Sequence, residues 1–199
     1  MHPSRLVAAL AALVLAACSS GTPPPKLFVL NPVAPPAAGP RVAAGLPEIL
    51  VTPAQVPDYL DRPQLVERTS ANELKLVEAD QWAERLSLNV ARVVAQNLSA
   101  MVPADANVAV AARASLPFDY QVVLALNGFE LDQSGAAVLN GRWSVTNAEG
   151  TKELAAASVS LRQPAARPGI PAAVEAMNAI LGAVSRDIAA AIKKLKSSK

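Results

Sequence analysis

The chain has 199 residues, of which 52% are hydrophobic and 17% charged, and its formal net charge at pH 7 is +2. Because a nearly neutral protein has no general electrostatic attraction for polyanions, the composition argues against a nucleic-acid-binding role. The only basic run, Lys193 to Lys199, is typical of a solvated helix end favoured by the helix dipole, with contact to anionic lipid as the alternative.

The first residues have the pattern of a secretory signal peptide. Arg5 precedes an apolar run from Leu6 to Ala17, which is shorter than the about 20 residues that a membrane-spanning helix needs. The run ends in Leu15-Ala16-Ala17-Cys18, which resembles a bacterial lipobox, in which the cysteine thiol is acylated. We therefore predict a lipoprotein signal peptide over residues 1–17 and a lipidated Cys18. An ordinary signal peptide with an incidental cysteine is the alternative.

Acylation of Cys18 would determine where the mature protein sits. Each buried acyl methylene contributes about 0.8 kcal/mol, so the two or three chains of a lipoprotein cysteine give stable attachment. Ser19 follows the cysteine at the position where inner-membrane lipoproteins often have aspartate. This favours the outer membrane, with the domain on its periplasmic face. Residues 18–26 would form a proline-rich tether with a reach of about 25 Å at ~3.1 Å per residue.

Removal of residues 1–17 leaves 199 − 17 = 182 residues, enough for a single domain, which we place at residues 27–199. The removed segment contains the only histidine, His2, and acylation uses the only cysteine. A chain without imidazole or thiol cannot perform Ser-His-Asp or Cys-His catalysis or build zinc sites from His and Cys. An enzyme would have to use carboxylates, Lys, Tyr or an oxygen-ligated metal, and a carboxylate-dependent hydrolase is the remote alternative. We expect no enzymatic activity, no catalytic residues, no metal site and no cofactor beyond the covalent lipid on Cys18.

Apolar periodicity and turn residues predict the elements of the first half of this domain. Residues 31–47 contain five prolines and no periodicity, which favours a surface loop. A later apolar stripe at helical spacing leaves Asn89 and Arg92 on the opposite, polar side. The predicted elements are strands at Lys26–Leu30, Glu48–Val51, Gln64–Arg68 and Asn72–Val77, and a helix from a cap at Asp80 to about Met101.

The second half is predicted to contain more strands and a long helix. The strands are expected at Asn107–Arg113, Asp119–Asp132, Ala136–Thr146 and Thr151–Gln163, the last three as an antiparallel meander. A helix from Pro171 to about Lys196 has one apolar face, which would pack across the sheet or project its C-terminal half towards a partner or neighbouring subunit. The predicted fold class is α+β, a two-layer sandwich in which two amphipathic helices pack on an antiparallel or mixed sheet.

The stretch VPDYLDRPQLV, Val56 to Val66, has the densest set of functional groups in the chain. Its two aspartates would form an acid–base pair only if their surroundings separated their pKa values. Two prolines with aspartates between them are more typical of a structural turn, and this is the favoured interpretation. The stretch could also bind a partner protein, since tyrosine and arginine are preferred interface residues. The candidate partner-binding residues are Asp58, Tyr59, Leu60 and Arg62.

Three motifs together resemble the PqiC/YmbA family of ABC-type transport auxiliary lipoproteins. They are the lipobox, VPDYLDRPQLV and the stretch Gln81-Trp82-Ala83-Glu84-Arg85-Leu86, and the likeness extends over about Leu27 to Lys196. The resemblance implies a non-enzymatic outer-membrane component of an MCE (mammalian cell entry) lipid-transport system, to which the outer end of a periplasmic tunnel docks.

The partners implied by the resemblance are an MCE-domain tunnel protein and its inner-membrane ABC permease and ATPase. The protein would contact the outer membrane through its lipid anchor, and a homo-oligomeric ring is compatible with such a docking role. The alternative is a structural or envelope-assembly lipoprotein without lipid transport.

Overall fold

The computed structural model describes residues 23–33, 48–102, 106–110 and 118–197. The predicted signal peptide, Cys18 and much of the predicted loop at 31–47 lie outside these residues. Within the described ranges, none of the helices has the length and apolar character needed to cross a membrane.

Eight strands and two helices make up the described part of the chain. In chain order they are β1 (Lys26–Phe28), β2 (Glu48–Val51), β3 (Gln64–Ser70), β4 (Glu73–Trp82), α1 (Leu86–Met101), β5 (Asn107–Val110), β6 (Tyr120–Asp132), β7 (Ala137–Asn147), β8 (Glu153–Gln163) and α2 (Ile170–Ser197). The strands form one mixed sheet. The predicted α+β class is confirmed.

Strand β6 organises the sheet because different strands pair with its two edges. Along one edge it pairs in parallel with β2 near its start and with β3 near its end, and along the other edge it pairs antiparallel with β7. Beyond these neighbours, β7 pairs with β8 and β2 pairs with β5. Strand β3 pairs with β4, and β4 pairs in turn with β1. Consequently β1 and β8 lie at opposite edges of the path β1-β4-β3-β6-β7-β8.

The two helices pack against each other and against the sheet. Helix α1 contacts β2 and β5, whereas α2 contacts β7 and β8. Their apolar stripes are fully buried, for example at Val90, Val94, Leu181 and Ile188. Each such side chain contributes about 1.5–3 kcal/mol to the free energy of unfolding. Ile192, in the last turns of α2, is also fully buried, so this helix packs on the domain along most of its length.

The predicted start of the first helix is wrong. Residues 80–82 belong to β4, and α1 begins at Leu86 with Arg85 in the cap position, so Asp80 caps no helix. The physical reason is strand pairing, because Lys26 lies opposite Asp80, and Phe28 lies opposite Trp82. Pairing with β1 at the sheet edge therefore keeps this stretch in a strand, although its apolar spacing also fits a helix.

Other strand boundaries differ by a few residues. Strand β3 extends to Ser70, and β1 ends at Phe28 rather than Leu30. The three-stranded meander is confirmed, and Leu139, Trp143 and Val145 lie together on its buried face. The final residues of the strand predicted at 107–113 lie outside the described residues.

Candidate functional site

Residues 56–63, called the proline loop below, form an excursion from the edge of β6. Before the loop, the Gln55 amide donates to the Leu124 carbonyl at 2.8 Å, and after it Glu67 pairs with Leu131. Inside the loop, the Leu60 and Asp61 amides both donate to the Pro57 carbonyl, at 2.9 and 3.3 Å. The chain therefore leaves and rejoins the same strand through a hydrogen-bonded turn, and the predicted structural turn is confirmed.

Tyr59 points back onto the sheet and joins an ionic cluster. Its hydroxyl donates to the Glu130 carboxylate at 3.3 Å and accepts from Arg68 Nη2 at 3.3 Å. Arg68 Nε donates to Glu130 Oε1 at 2.7 Å, and its guanidinium lies 6.0 Å from the centre of the Tyr59 ring. Because the Glu130 side chain is only 6% exposed, it needs these donors. Burial, together with the nearby Glu130 charge, raises the pKa of Tyr59.

Asp61 caps helix α1 from another part of the chain. Its carboxylate accepts from the Ser87 hydroxyl at 3.0 Å and from the Ser87 amide at 3.4 Å, in the first turn of the helix. Arg85, the cap residue, provides no cap through its own side chain and instead forms an ion pair with Asp61. The helix thus obtains a negative group at its N-terminus, where the dipole favours one.

The surroundings of Asp61 hold it in its charged form. Burial alone would raise its pKa, but hydrogen bonds from Arg85 and Ser87 outweigh that effect, and the pKa of Asp61 lies below its ordinary value. A general acid in this position would need a raised pKa. The geometry therefore favours a structural carboxylate over half of an acid–base pair.

The remaining candidate residues of the proline loop have different environments. Asp58 is exposed, whereas Leu60 is 1% exposed and packs in the core. Arg62 is half-buried, and its Nε has no hydrogen-bond partner within the described residues. It borders a cleft of about 240 Å³ that also contacts Trp82 and Arg85. The partner-binding role of Asp58, Tyr59, Leu60 and Arg62 stays a prediction, and Leu60 faces away from any partner in this conformation.

A second polar site, which the sequence did not predict, holds residues 29–33, called the entry segment below. Asn89 Oδ1 accepts from the Leu30 amide at 3.2 Å, and Arg92 Nη2 donates to the Leu30 carbonyl at 3.1 Å. Further along, Asn97 Oδ1 accepts from the Val33 amide at 3.0 Å. Side chains of α1 therefore replace the strand partner that the backbone lacks after β1 ends.

Helix α2 completes the attachment of the entry segment. Asn178 Oδ1 accepts from the Asn31 amide at 2.9 Å. Gly182 lies under Val33, and a Cβ at that glycine would come within 2.5 Å of Val33 Cγ2. The entry segment thus crosses both helices and needs a glycine at the crossing.

The polar side predicted for Asn89 is wrong, because Asn89 and Asn97 are both fully buried. A signal in the sequence could have located them. The two asparagines are eight residues apart, so they lie on the same helix face as the apolar Val90, Val93 and Val94. Two amides in an apolar stripe indicate buried hydrogen-bond partners.

Comparison with known proteins agrees with this architecture. The sequence profile of a family described as ABC-type transport auxiliary lipoprotein component matches residues 28–189. The chain belongs to this family. The resemblance to PqiC/YmbA proteins is thereby confirmed, and the matched range runs from the end of β1 into α2, so it includes both the proline loop and the entry segment.

Solved structures support the fold of this auxiliary lipoprotein. A crystal structure of an uncharacterized protein superposes with a TM-score of 0.70 at 20% identity, covering 85% of this chain and 99% of that one. Protein XCC0632 from Xanthomonas campestris gives a TM-score of 0.67 at 17% identity, covering 87% of this chain and 98% of that one. At such identities the likeness establishes the fold alone. A search of curated proteins finds no match.

Proposed function

We propose that this auxiliary lipoprotein is an outer-membrane component of an MCE/ABC-type intermembrane lipid-transport system. In this role it docks the outer end of the periplasmic tunnel formed by the MCE-domain protein, while the ABC permease and ATPase act at the inner membrane. The protein performs no chemistry on the lipid. Its contribution is to hold the tunnel at the membrane in which its own anchor sits.

One observation supports the proposal above the others. The match to the transport auxiliary family extends over residues 28–189 of a chain in which a lipobox ends at Cys18. The similarity to the family therefore extends over nearly the whole folded domain and is not limited to one motif. An anchor and a transport-associated domain in one chain fit a docking component better than a freely diffusing carrier.

The surface offered to the tunnel protein is the outer side of the proline loop. Asp58 is exposed, and Arg62 has a buried Nε without a hydrogen-bond partner in the described structure. A partner carboxylate or carbonyl in the cleft that Arg62 lines would instead meet its half-buried, positively charged side chain. Tyr59 is fixed by Arg68 and Glu130, so the surface it borders is rigid before binding.

Photo-crosslinking in cells tests the docking role. A photoreactive amino acid is introduced at Asp58 or Arg62, and at Glu149 as the matched control, because Glu149 is exposed in the turn between β7 and β8. We expect Asp58 and Arg62 to capture the MCE-domain protein and Glu149 to capture much less. Recovery of only peptidoglycan or assembly-machinery partners would contradict the transport role and favour the structural lipoprotein alternative.

A second experiment addresses the absence of chemistry. Asp58→Asn removes the exposed carboxylate of the proline loop without altering any internal hydrogen bond of that loop. We expect cells with this variant to keep an intact envelope, measured by detergent resistance. Loss of envelope integrity while crosslinking from Arg62 persists would indicate that the Asp58 carboxylate does more than border a docking surface.

A further inference from the structure

Exposed apolar side chains cluster at one end of the domain. Five large hydrophobic residues of the described chain are exposed, namely Leu27 (65%), Val29 (40%), Val33 (45%), Leu74 (37%) and Leu88 (42%). Four of them belong to β1, the entry segment or the first turn of α1. Only Leu74 lies elsewhere, near the start of β4, about 23 Å along that strand from the residues that pair with β1.

The hydrogen bonds of the entry segment fix the outward direction of these side chains. Leu30 is fully buried, and its amide and carbonyl bond to Asn89 and Arg92 of α1. Because consecutive side chains of an extended chain point to opposite sides, Val29 faces outward there. Leu88 is the neighbour of Asn89 and lies one turn before Arg92, so it borders the same crossing.

Leu27 extends this patch to the edge of the sheet. It is in β1, which pairs only with β4 among the described strands, and it lies opposite Gln81. Val33, at the other end of the segment, rests on Gly182 and leaves 45% of its surface exposed. We call Leu27, Val29, Val33 and Leu88 the apolar patch.

The charges around the apolar patch balance one another. Arg92 forms an ion pair with Glu84 at 2.7 Å, and Arg85 is paired with Asp61. Lys26 lies opposite Asp80 in the parallel strand pair. Within the described residues the rim therefore carries paired charges rather than an excess that would attract an acidic or basic protein. An exposed apolar surface marks an interaction site, and apolar area that enters the boundary between headgroups and acyl chains stabilises membrane contact.

We propose that the apolar patch contacts the lipid bilayer in which the protein is anchored. The inference rests on the lipoprotein character of the family and on the predicted acylation of Cys18. Leu27 follows Cys18 by nine residues, which in a polyproline-like chain at ~3.1 Å per residue is about 28 Å. The first strand of the described chain, β1, is thus held near the membrane, and the exposed apolar side chains begin in this strand.

This contact would orient the whole domain. The entry segment is fixed to α1 and α2 by Asn89, Asn97 and Asn178, so insertion of its outward side chains sets the angle of the domain to the membrane. The β1 edge then faces the bilayer. Strand β8, at the opposite edge of the sheet, faces away from it.

Depth-dependent fluorescence quenching tests the proposal on the full acylated protein in vesicles of phosphatidylethanolamine and phosphatidylglycerol. Single cysteines are introduced by Leu27→Cys, Val29→Cys or Leu88→Cys, with Leu74→Cys as the matched control, and are labelled with an environment-sensitive fluorophore. Mass spectrometry confirms acylation of Cys18, and circular dichroism confirms folding. We expect spin-labelled lipids to quench the three patch positions several-fold more than the control. Varying the phosphatidylglycerol fraction should change little.

Two results would overturn the proposal. In the first, the patch positions are quenched no more than Leu74. In the second, the fluorophores are shielded from water but not quenched by lipid, which would assign the patch to a second copy or another protein. The outcome is separable from the proposed function, since a lipid-quenched patch with no MCE protein captured at Asp58 or Arg62 would leave the membrane contact standing and remove the docking role.

Discussion

The proline loop and the entry segment contrast in how their sequences relate to their structures. The proline loop is rich in functional groups, yet Tyr59 and Asp61 both turn inward, one to an ionic cluster on β6 and the other to the N-terminus of α1. The entry segment has almost no functional groups of its own. Buried amides of α1 and the partly buried Asn178 of α2 nevertheless hold its backbone, and its outward side chains contribute to the apolar patch.

The contrast shows that the partners of a group decide its role. An aspartate that is hydrogen-bonded to a helix N-terminus stabilises that helix. An exposed valine without apolar contacts on its outer side belongs instead to a surface that a binding partner or a membrane can cover. The predictions below test whether the loop is structural and whether the buried amides fix the entry segment, from the largest expected effect to the smallest.

The ionic cluster of the proline loop should be the most sensitive point. Arg68→Ala leaves the Glu130 carboxylate buried without a cation, and breaking a buried pair in this way costs about 3–5 kcal/mol. Since Arg68 is 35% exposed, we expect the lower end of that range in urea unfolding. Arg142→Ala is the matched control, because its ion pair with Glu153 is about half exposed and should contribute less than about 1 kcal/mol.

A second substitution separates charge burial from lost packing. In the Arg68→Ala background, Glu130→Gln removes the uncompensated charge and should restore part of the free energy of unfolding. No recovery in the double variant would mean that packing of the Arg68 side chain, and not its charge, supports the loop.

The buried amide at Asn89 should come next. Asn89→Ala leaves the Leu30 amide without an acceptor, which typically costs about 1–3 kcal/mol. Asn89→Asp keeps an acceptor for Leu30 and Arg92, and it removes an Nδ2 that has no partner within the described residues. We expect the aspartate variant to be the more stable of the two by thermal unfolding. The reverse order would show that burying the new carboxylate costs more than an acceptor for Leu30 and Arg92 contributes, and it would contradict this role of Asn89.

The cap supplied by Asp61 should have a smaller effect. Asp61→Ala removes the acceptor of the Ser87 amide and hydroxyl, and loss of an N-cap costs about 0.5–2 kcal/mol. Asp58→Ala is the control, because Asp58 lies three residues earlier in the same loop and is exposed, and this change should affect stability little. Equal effects of the two variants would argue against capping by Asp61.

The pH dependence of stability follows from the same carboxylate. Because the pKa of Asp61 is lowered in the folded protein, the unfolded chain binds more protons as the pH falls, and stability rises with pH in that window. The contribution is fully present above the ordinary aspartate pKa of about 3.9 and is lost below it as the folded pKa is reached. Asp132 has a lowered pKa through hydrogen bonds from Ser134 and Arg162 that outweigh burial, so it should add to the same slope. Acid unfolding of Asp61→Asn should show a shallower slope than wild type.

Much of the sheet could be predicted from the sequence because its strands are joined locally. Much of β6 and β7 alternates between more and less buried residues, and short turns with glycines at positive φ, Gly135 and Gly150, join β6, β7 and β8. Such pairing depends on neighbouring residues, and the predicted boundaries agree with the structure to within one or two residues.

The failures involve contacts between residues distant in the sequence. Asp80 and Trp82 are strand because β1, more than fifty residues earlier, pairs with them. Asn89 is buried because the entry segment lies over it, and Asp61 is a cap for a helix that begins 25 residues later. The periodicity of one segment contains no information about such distant partners. The turn of the proline loop was predicted correctly because it depends on prolines within the loop itself.

Hydrogen–deuterium exchange of the full-length protein tests most directly whether the entry segment is a fixed part of the domain. The amides of Leu30 and Val33 should exchange slowly in the wild type, because Asn89 accepts from Leu30 in a buried setting and Asn97 accepts from Val33 in a partly buried one. In Asn89→Ala the Leu30 amide should exchange much faster, while peptides containing the proline loop keep their wild-type protection. Exchange of the Leu30 and Val33 amides at the rate of an unstructured peptide in the wild type would contradict the account.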